Sequence, residues 1–169
     1  MRAGEGTLRM HDMRIISAFL LGLLLGLPWA GASAADSNGA DAPVKLVVSV
    51  DPAEVAAGSF ASATIKLVPR AGIKLNKYPK INLQIPAAAG LVDAAEGSMG
   101  NAAPPSADNL DANYYHGEVD PLTVKLHLDT AATTGRHEVP AKLSYFYCVA
   151  ASGYCAPAKV ALSIPVTVR

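Results

Sequence analysis

From residue 44 onward, apolar residues return at every second position, in short runs cut off by Pro, Gly and Asp. An extended chain turns successive side chains to opposite faces, so this alternation gives each run one apolar face and one polar face. Val44, Leu46, Val48 and Val50 form the first run, which Asp51-Pro52 breaks. Ala61, Ala63, Ile65 and Leu67 alternate against Ser62, Thr64 and Lys66 over 60–68, and Ile81, Leu83 and Ile85 form a third run ended by Pro86. Leu122, Val124, Leu126 and Leu128 alternate with Thr123, Lys125 and His127, with His127 expected simply to face solvent. Val139, Ala141, Leu143, Tyr145 and Tyr147 share a face of the next run, and Val160, Leu162, Ile164, Val166 and Val168 close the chain. Pro165 has no N–H to give a ladder, which places this last strand at an edge or puts a bulge in it. Six or more short strands with no amphipathic helix predict an all-β fold, an immunoglobulin-like antiparallel β-sandwich over residues 44–169.

The stretch 87–113 is rich in Ala, Gly, Asn, Ser and Pro and reads as a long loop, with a short strand allowed around Leu91-Val92. Before the domain, Arg9 and Arg14 precede an apolar run from Ile15 to Leu27, and Ala32-Ser33-Ala34 follows it. This is the pattern of a signal peptide over 1–34, with Met13 as an alternative start. The run is shorter than the roughly 20 residues a spanning helix needs. The expected location is therefore periplasmic or secreted, a retained N-terminal membrane anchor being the alternative, with residues 35–43 as a flexible leader. Lys and Arg balance Asp and Glu at 14 each, so no basic stripe invites nucleic acid. Lys66, Arg70, Lys74, Lys77 and Lys80 gather in one stretch, and Asp108, Asp111, Glu118 and Asp120 in another; both read as solvated loops.

Chemistry concentrates at Cys148 and Cys155, the chain's 2 cysteines. They flank Val149-Ala-Ala-Ser-Gly-Tyr154, and a hairpin there would bring their Cα atoms near disulfide distance. Export would permit the bond. A structural staple and a reactive pair both remain open on these grounds. Tyr145, Phe146, Tyr147 and Tyr154 surround the cysteines in sequence, and Tyr114 and Tyr115 end the long loop. Folded over the hairpin, the tyrosine pair would govern which thiolates reach the sulfurs.

The stretch Asn113-Tyr-Tyr-His-Gly-Glu-Val-Asp-Pro-Leu-Thr-Val-Lys-Leu, then 137–148 and Gly153-Tyr-Cys-Ala-Pro157, resembles the N-terminal periplasmic domain of the DsbD thiol:disulfide interchange family. Gly72-Ile-Lys-Leu-Asn-Lys-Tyr-Pro-Lys-Ile-Asn-Leu is similar to the early sheet of such domains. The resemblance implies an immunoglobulin-like fold and a protein-disulfide reductase activity without a cofactor. It also implies that Cys148 and Cys155 are the redox pair, that Cys155 forms the mixed disulfide, and that Tyr114 and Tyr115 belong to a cap loop. The electron source or acceptor would be a separate membrane electron carrier or a thioredoxin-like periplasmic protein.

Two further classes compete with exchange. A non-enzymatic β-sandwich that binds a protein partner would use the disulfide as a hairpin staple. A copper or zinc site could draw on His116, His137 and the two thiols, but the chain has no H-x-x-x-H or C-x-x-C, and an oxidised pair offers no thiolate, so no metal is expected. Hydrolase chemistry lacks a nucleophile motif such as G-x-S-x-G.

Overall fold

The computed structural model describes residues 42–106 and 114–169, all within one compact unit, Ser33–Arg169. The expected signal peptide, most of the expected leader, Asp108 and Asp111 lie outside the described residues. Nine strands run in chain order: β1 Val44–Asp51, β2 Glu54–Val55, β3 Phe60–Pro69, β4 Ile73–Leu75, β5 Ile81–Ile85, β6 Ala95–Met99, β7 Leu122–His127, β8 Gly135–Val149 and β9 Cys155–Val168. They make an immunoglobulin-like β-sandwich. One sheet is ordered β1-β3-β7 and the other β2-β9-β8-β5-β6, with β4 also paired to β8. Every pairing between these strands is antiparallel except the short β2–β9 contact, Glu54↔Thr167 and Val55↔Val168.

The alternation acts as read. Ala61, Ala63, Ile65, Leu67, Leu122, Val124, Leu126 and Leu128 line the inner face of the first sheet, and Ile81, Leu83, Ile85, Val139, Ala141, Leu143, Ile164 and Val166 that of the second, all buried. Burying the Val, Leu and Ile side chains among them contributes about 1.5–3 kcal/mol each before conformational entropy is counted. Tyr145 belongs to this core too, and burial, then the neighbouring Tyr147, push its phenol up to about 12.

Three strands lie where the sequence shows no run. The loop expected over 87–113 holds β6, which pairs with β5 from Ile81↔Met99 to Ile85↔Ala95. Its inward positions are Ala95, Gly97 and Met99, because the two sheets meet here: a methyl added at Gly97 would stand 2.5 Å from Val124 Cγ2. Close approach selects glycine and so erases the apolar signal. Val92 forms isolated bridges to Ala88 and Leu128 in place of the short strand allowed near it. β2 and β4 are too short to show a period.

Pro165 lies at an edge with no bulge, since the β8–β9 register is unbroken from Gly135↔Val168 to Cys148↔Cys155. The Val149 N–H donates to Tyr154 O at 2.8 Å, so by antiparallel alternation Cys155 and every second residue after it turn their backbone groups away from β8. Pro157 and Pro165 both occupy such outward positions and cost the ladder nothing. His127 does more than face solvent: its Nδ1 is 2.6 Å from Asp93 Oδ2, and its ring centroid is 4.7 Å from that of Phe60.

Candidate functional site

The β8–β9 hairpin carries the cysteines to its tip. Gly153, at φ 69°, supplies the left-handed residue that turns the chain back, and its N–H donates to Val149 O at 2.9 Å. Cys148 and Cys155 then fall directly opposite each other, with Cα atoms 4.0 Å apart and the disulfide formed. This is the closely spaced, non-hydrogen-bonded type of antiparallel pair, where side chains approach most nearly.

The two halves of the bond differ. Cys155 is exposed, whereas Cys148 is 3% exposed although it lies on the outer face of its sheet. Strand β4 runs beside this end of β8, placing Lys74 opposite Cys148. Past the strand's end, the Asn76 N–H donates to Phe146 O at 3.0 Å. Asn76 is the buried polar side chain of this region, 2% exposed, and its Oδ1 is 3.6 Å from Cys148 Sγ. An oxidised sulfur has no proton to donate, so this is a polar contact; a reduced Cys148 would have one.

Residues 114–116 lie along the far side of β4. Asn76 bridges to Tyr115, the Lys77 N–H donates to Tyr114 O at 2.7 Å, and the His116 N–H donates to Leu75 O at 2.9 Å. The Tyr114 and Tyr115 rings meet edge to face with centroids 5.1 Å apart, and Lys74 Nζ lies 4.8 Å from the Tyr115 ring centroid. Tyr115 is thus two strand spacings from Cys148, roughly 10 Å across the sheet, with Asn76 and Lys74 of the β4 segment between them. Among the aromatics near the cysteines in sequence, Phe146 shares the outer face with Cys148, while Tyr145 packs inward.

Further charged and polar groups surround this end. Lys66 and Lys74 belong to β3 and β4, not to loops, and with Arg70, Lys77 and Glu118 they line an open cleft of about 870 Å³. His116 lines it too, and its Nε2 is buried with no hydrogen-bond partner among the described residues. Burial, reinforced by the Lys77 ammonium and opposed by Asp120, holds His116 below its ordinary 6.5. The unfolded chain therefore takes up this proton first as pH falls, and the fold loses stability on descending through 6.5 until the folded ring also protonates. Urea midpoints should fall between about pH 7.5 and 5.5, and His116→Gln should flatten that part of the profile. His137 stands at the other end of β8, with Nε2 2.7 Å from Thr133 O, so the two histidines and the two sulfurs are not gathered. No group of three or more His, Cys, Asp or Glu among the described residues is arranged to hold a metal. No helix among them is long and apolar enough to cross a membrane.

Asn76 and Lys74 are the site residues that sequence reasoning missed. Their signal was the two-position apolar spacing of Ile73 and Leu75, too brief to mark a strand.

No family model and no curated protein matches the chain. Among solved structures it is similar to AggA, the major subunit of aggregative adherence fimbriae type I from Escherichia coli, at 17% identity and a TM-score of 0.34, covering 75% of this chain and 95% of that one. A similarity this faint carries no argument about function.

Proposed function

We propose that the chain is a thiol–disulfide exchange module, as its resemblance to the DsbD N-terminal domain implies, working outside the cytoplasm with a separate thiol-bearing partner. The supporting observation is the asymmetry of the disulfide, with Cys155 exposed and Cys148 buried beside a polar side chain. A partner thiolate attacks Cys155 Sγ in line with the S–S bond; that bond breaks, a partner–Cys155 disulfide forms, and Cys148 leaves with the electron pair and takes a proton. Asn76 Oδ1 is placed to accept the new S–H. A second partner thiolate then attacks the partner's own sulfur and releases Cys155, so the pair gains two electrons and the partner becomes a disulfide. The reverse sequence uses the same atoms. No cofactor is required; the resemblance makes Tyr114 and Tyr115 the cap segment, and they lie beyond the β4 segment, on the Cys148 side of the bond.

A staple role has less to recommend it. The bond joins residues only 7 apart, across a hairpin already paired along β8 and β9. Closing so short a loop contributes about 2–3 kcal/mol in the chain-entropy model, less than a bond between distant segments. The test is the reduction potential of the folded protein in glutathione buffers. A value of roughly −180 to −270 mV is expected, the range of exchange proteins. A value below about −300 mV marks a bond that the glutathione pool does not reduce and overturns the reading.

A further inference from the structure

Asn76 is the one buried polar side chain among the described residues, and its carbonyl oxygen has a neighbour whose chemistry changes with redox state. The backbone holds the residue from both sides: its N–H donates to Phe146 O, and it bridges to Tyr115 across from that bond. Oδ1 then stands 3.6 Å from Cys148 Sγ, and among the described residues that oxygen makes no other hydrogen bond. A buried carbonyl oxygen that faces no donor has lost water and gained nothing in return. While the disulfide is intact, the sulfur before it carries no proton. Reduction by two glutathione molecules sends two electrons to the pair and leaves an S–H on each cysteine, the protons coming from the glutathione thiols, which depart joined as their own disulfide. Only then does Oδ1 face a donor. Cys155 gives no such difference: its Sγ lies 3.6 Å from Gly153 O, but at an exposed tip where water satisfies that carbonyl in either state. The hairpin meanwhile pulls the other way. Its unbroken register keeps the two cysteines directly opposite, with Cα atoms 4.0 Å apart, and this proximity favours closing the bond.

We infer that Asn76 sets the redox poise of the pair: its buried carbonyl favours the dithiol and offsets the hairpin's preference for the disulfide. Asn76 acts through Cys148, as a positioning residue. The inference rests on the exchange reading for its purpose, yet the equilibrium is measurable whether or not a protein partner uses the bond.

The first arm equilibrates the full chain and its Asn76→Leu variant, close in volume but without an acceptor, in glutathione and in dithiothreitol buffers; acid-trapped samples are counted by mass as oxidised or reduced. The variant's equilibrium constant for reduction is expected to fall about three- to tenfold, which is about 14–30 mV at 29.6 mV per tenfold. Relative to the unaltered chain, its urea midpoint should fall further in the reduced form than in the oxidised one, because the cycle linking folding and reduction must close. An unchanged constant, with both forms weakened alike, would make Asn76 a brace and nothing more. A raised constant would mean that the amide donates its N–H to the disulfide. Either result overturns the proposal. The second arm needs no change at Asn76. The Raman S–H stretch of Cys155→Ser, whose one thiol is Cys148, should lie below its position in the same protein unfolded in urea, since donation to a carbonyl weakens the S–H bond. A band at or above the unfolded position also overturns the proposal. If glutathione fails to reduce the unaltered bond, the exchange reading falls, while the dithiothreitol comparison and the Raman band still decide the role of Asn76.

Discussion

Cys148→Ser should trap a partner and Cys155→Ser should not. With Cys148 replaced, the exposed Cys155 thiol attacks a partner disulfide and stays in the mixed disulfide, because no second thiol is at hand to displace it. With Cys155 replaced, the remaining thiol is the buried one, 3% exposed beside Asn76. Burial obstructs the in-line approach that exchange requires. The Cys155→Ser protein is expected to react on the order of a hundredfold more slowly with an aromatic disulfide such as dithionitrobenzoate, followed by absorbance and by the mass of the adduct. Both variants lose the cross-link, about 2–3 kcal/mol, so rates are compared at a temperature where each is folded. Equal rates would show that the asymmetry has no chemical consequence. A pure staple would yield the stability loss in both variants and no lasting adduct with a protein partner in either.

Gly100→Ala should be the most damaging single methyl in the described chain. Gly100 sits at φ 112°, where an L side chain is strained, and a Cβ there would run into the Lys77 carbonyl. That carbonyl accepts the Asn101 N–H at 2.6 Å, while the Lys77 N–H donates to Tyr114 O. One peptide group on each side of Lys77 thus ties the turn after β6 to the tyrosine segment. Backbone strain of about 1–3 kcal/mol, with the displaced carbonyl added, sums to about 3 kcal/mol or more. The melting temperature should drop by roughly 10 °C. Gly90→Ala is the control: its φ is 70° but open space surrounds it, so only the conformational cost of about 1 kcal/mol applies. Amide exchange should quicken at Lys77 and Asn101 in the first variant and not in the second. Loss of both effects in Gly100→Ala would mean that the turn shifts freely, and that Lys77 does not hold the tyrosine segment in place.

The parts of the fold written in side-chain alternation were legible, because burial on one face is what the alternation encodes. Ile65, Leu83, Leu126 and Leu143 are all at the centre where their spacing put them. β6 was not legible for a physical reason: two sheets meeting at Gly97 require the absence of a side chain, and an absence reads as a loop. At the site, the pairing of Cys148 with Cys155 followed from their places on either side of a turn. The difference between them did not, since Cys148 belongs by parity to an outward-facing set and yet is buried, with Asn76 of the neighbouring β4 segment, 72 residues earlier, in contact with its sulfur. The basic residues were visible as a cluster in sequence, but their convergence with Glu118 and His116 on one cleft depends on the third pass of the chain along β4.

The outward margin of β9 bears on how the molecule keeps to itself in a crowded solution. Among the described residues, β9 pairs on that side with β2 at Thr167 and Val168, and Ala161 is engaged as well; outward peptide groups of a strand margin are of the kind that recruits stray strands into fibrils. Pro157 and Pro165 each delete a donor from that row, and Lys159, exposed between them, would bury its ammonium against any incoming backbone. A foreign strand could therefore form only a few consecutive bonds before meeting a gap. The margin stays exposed at Cys155, where the proposed exchange would need a partner to arrive and leave, without becoming a seed on which copies of the chain accumulate.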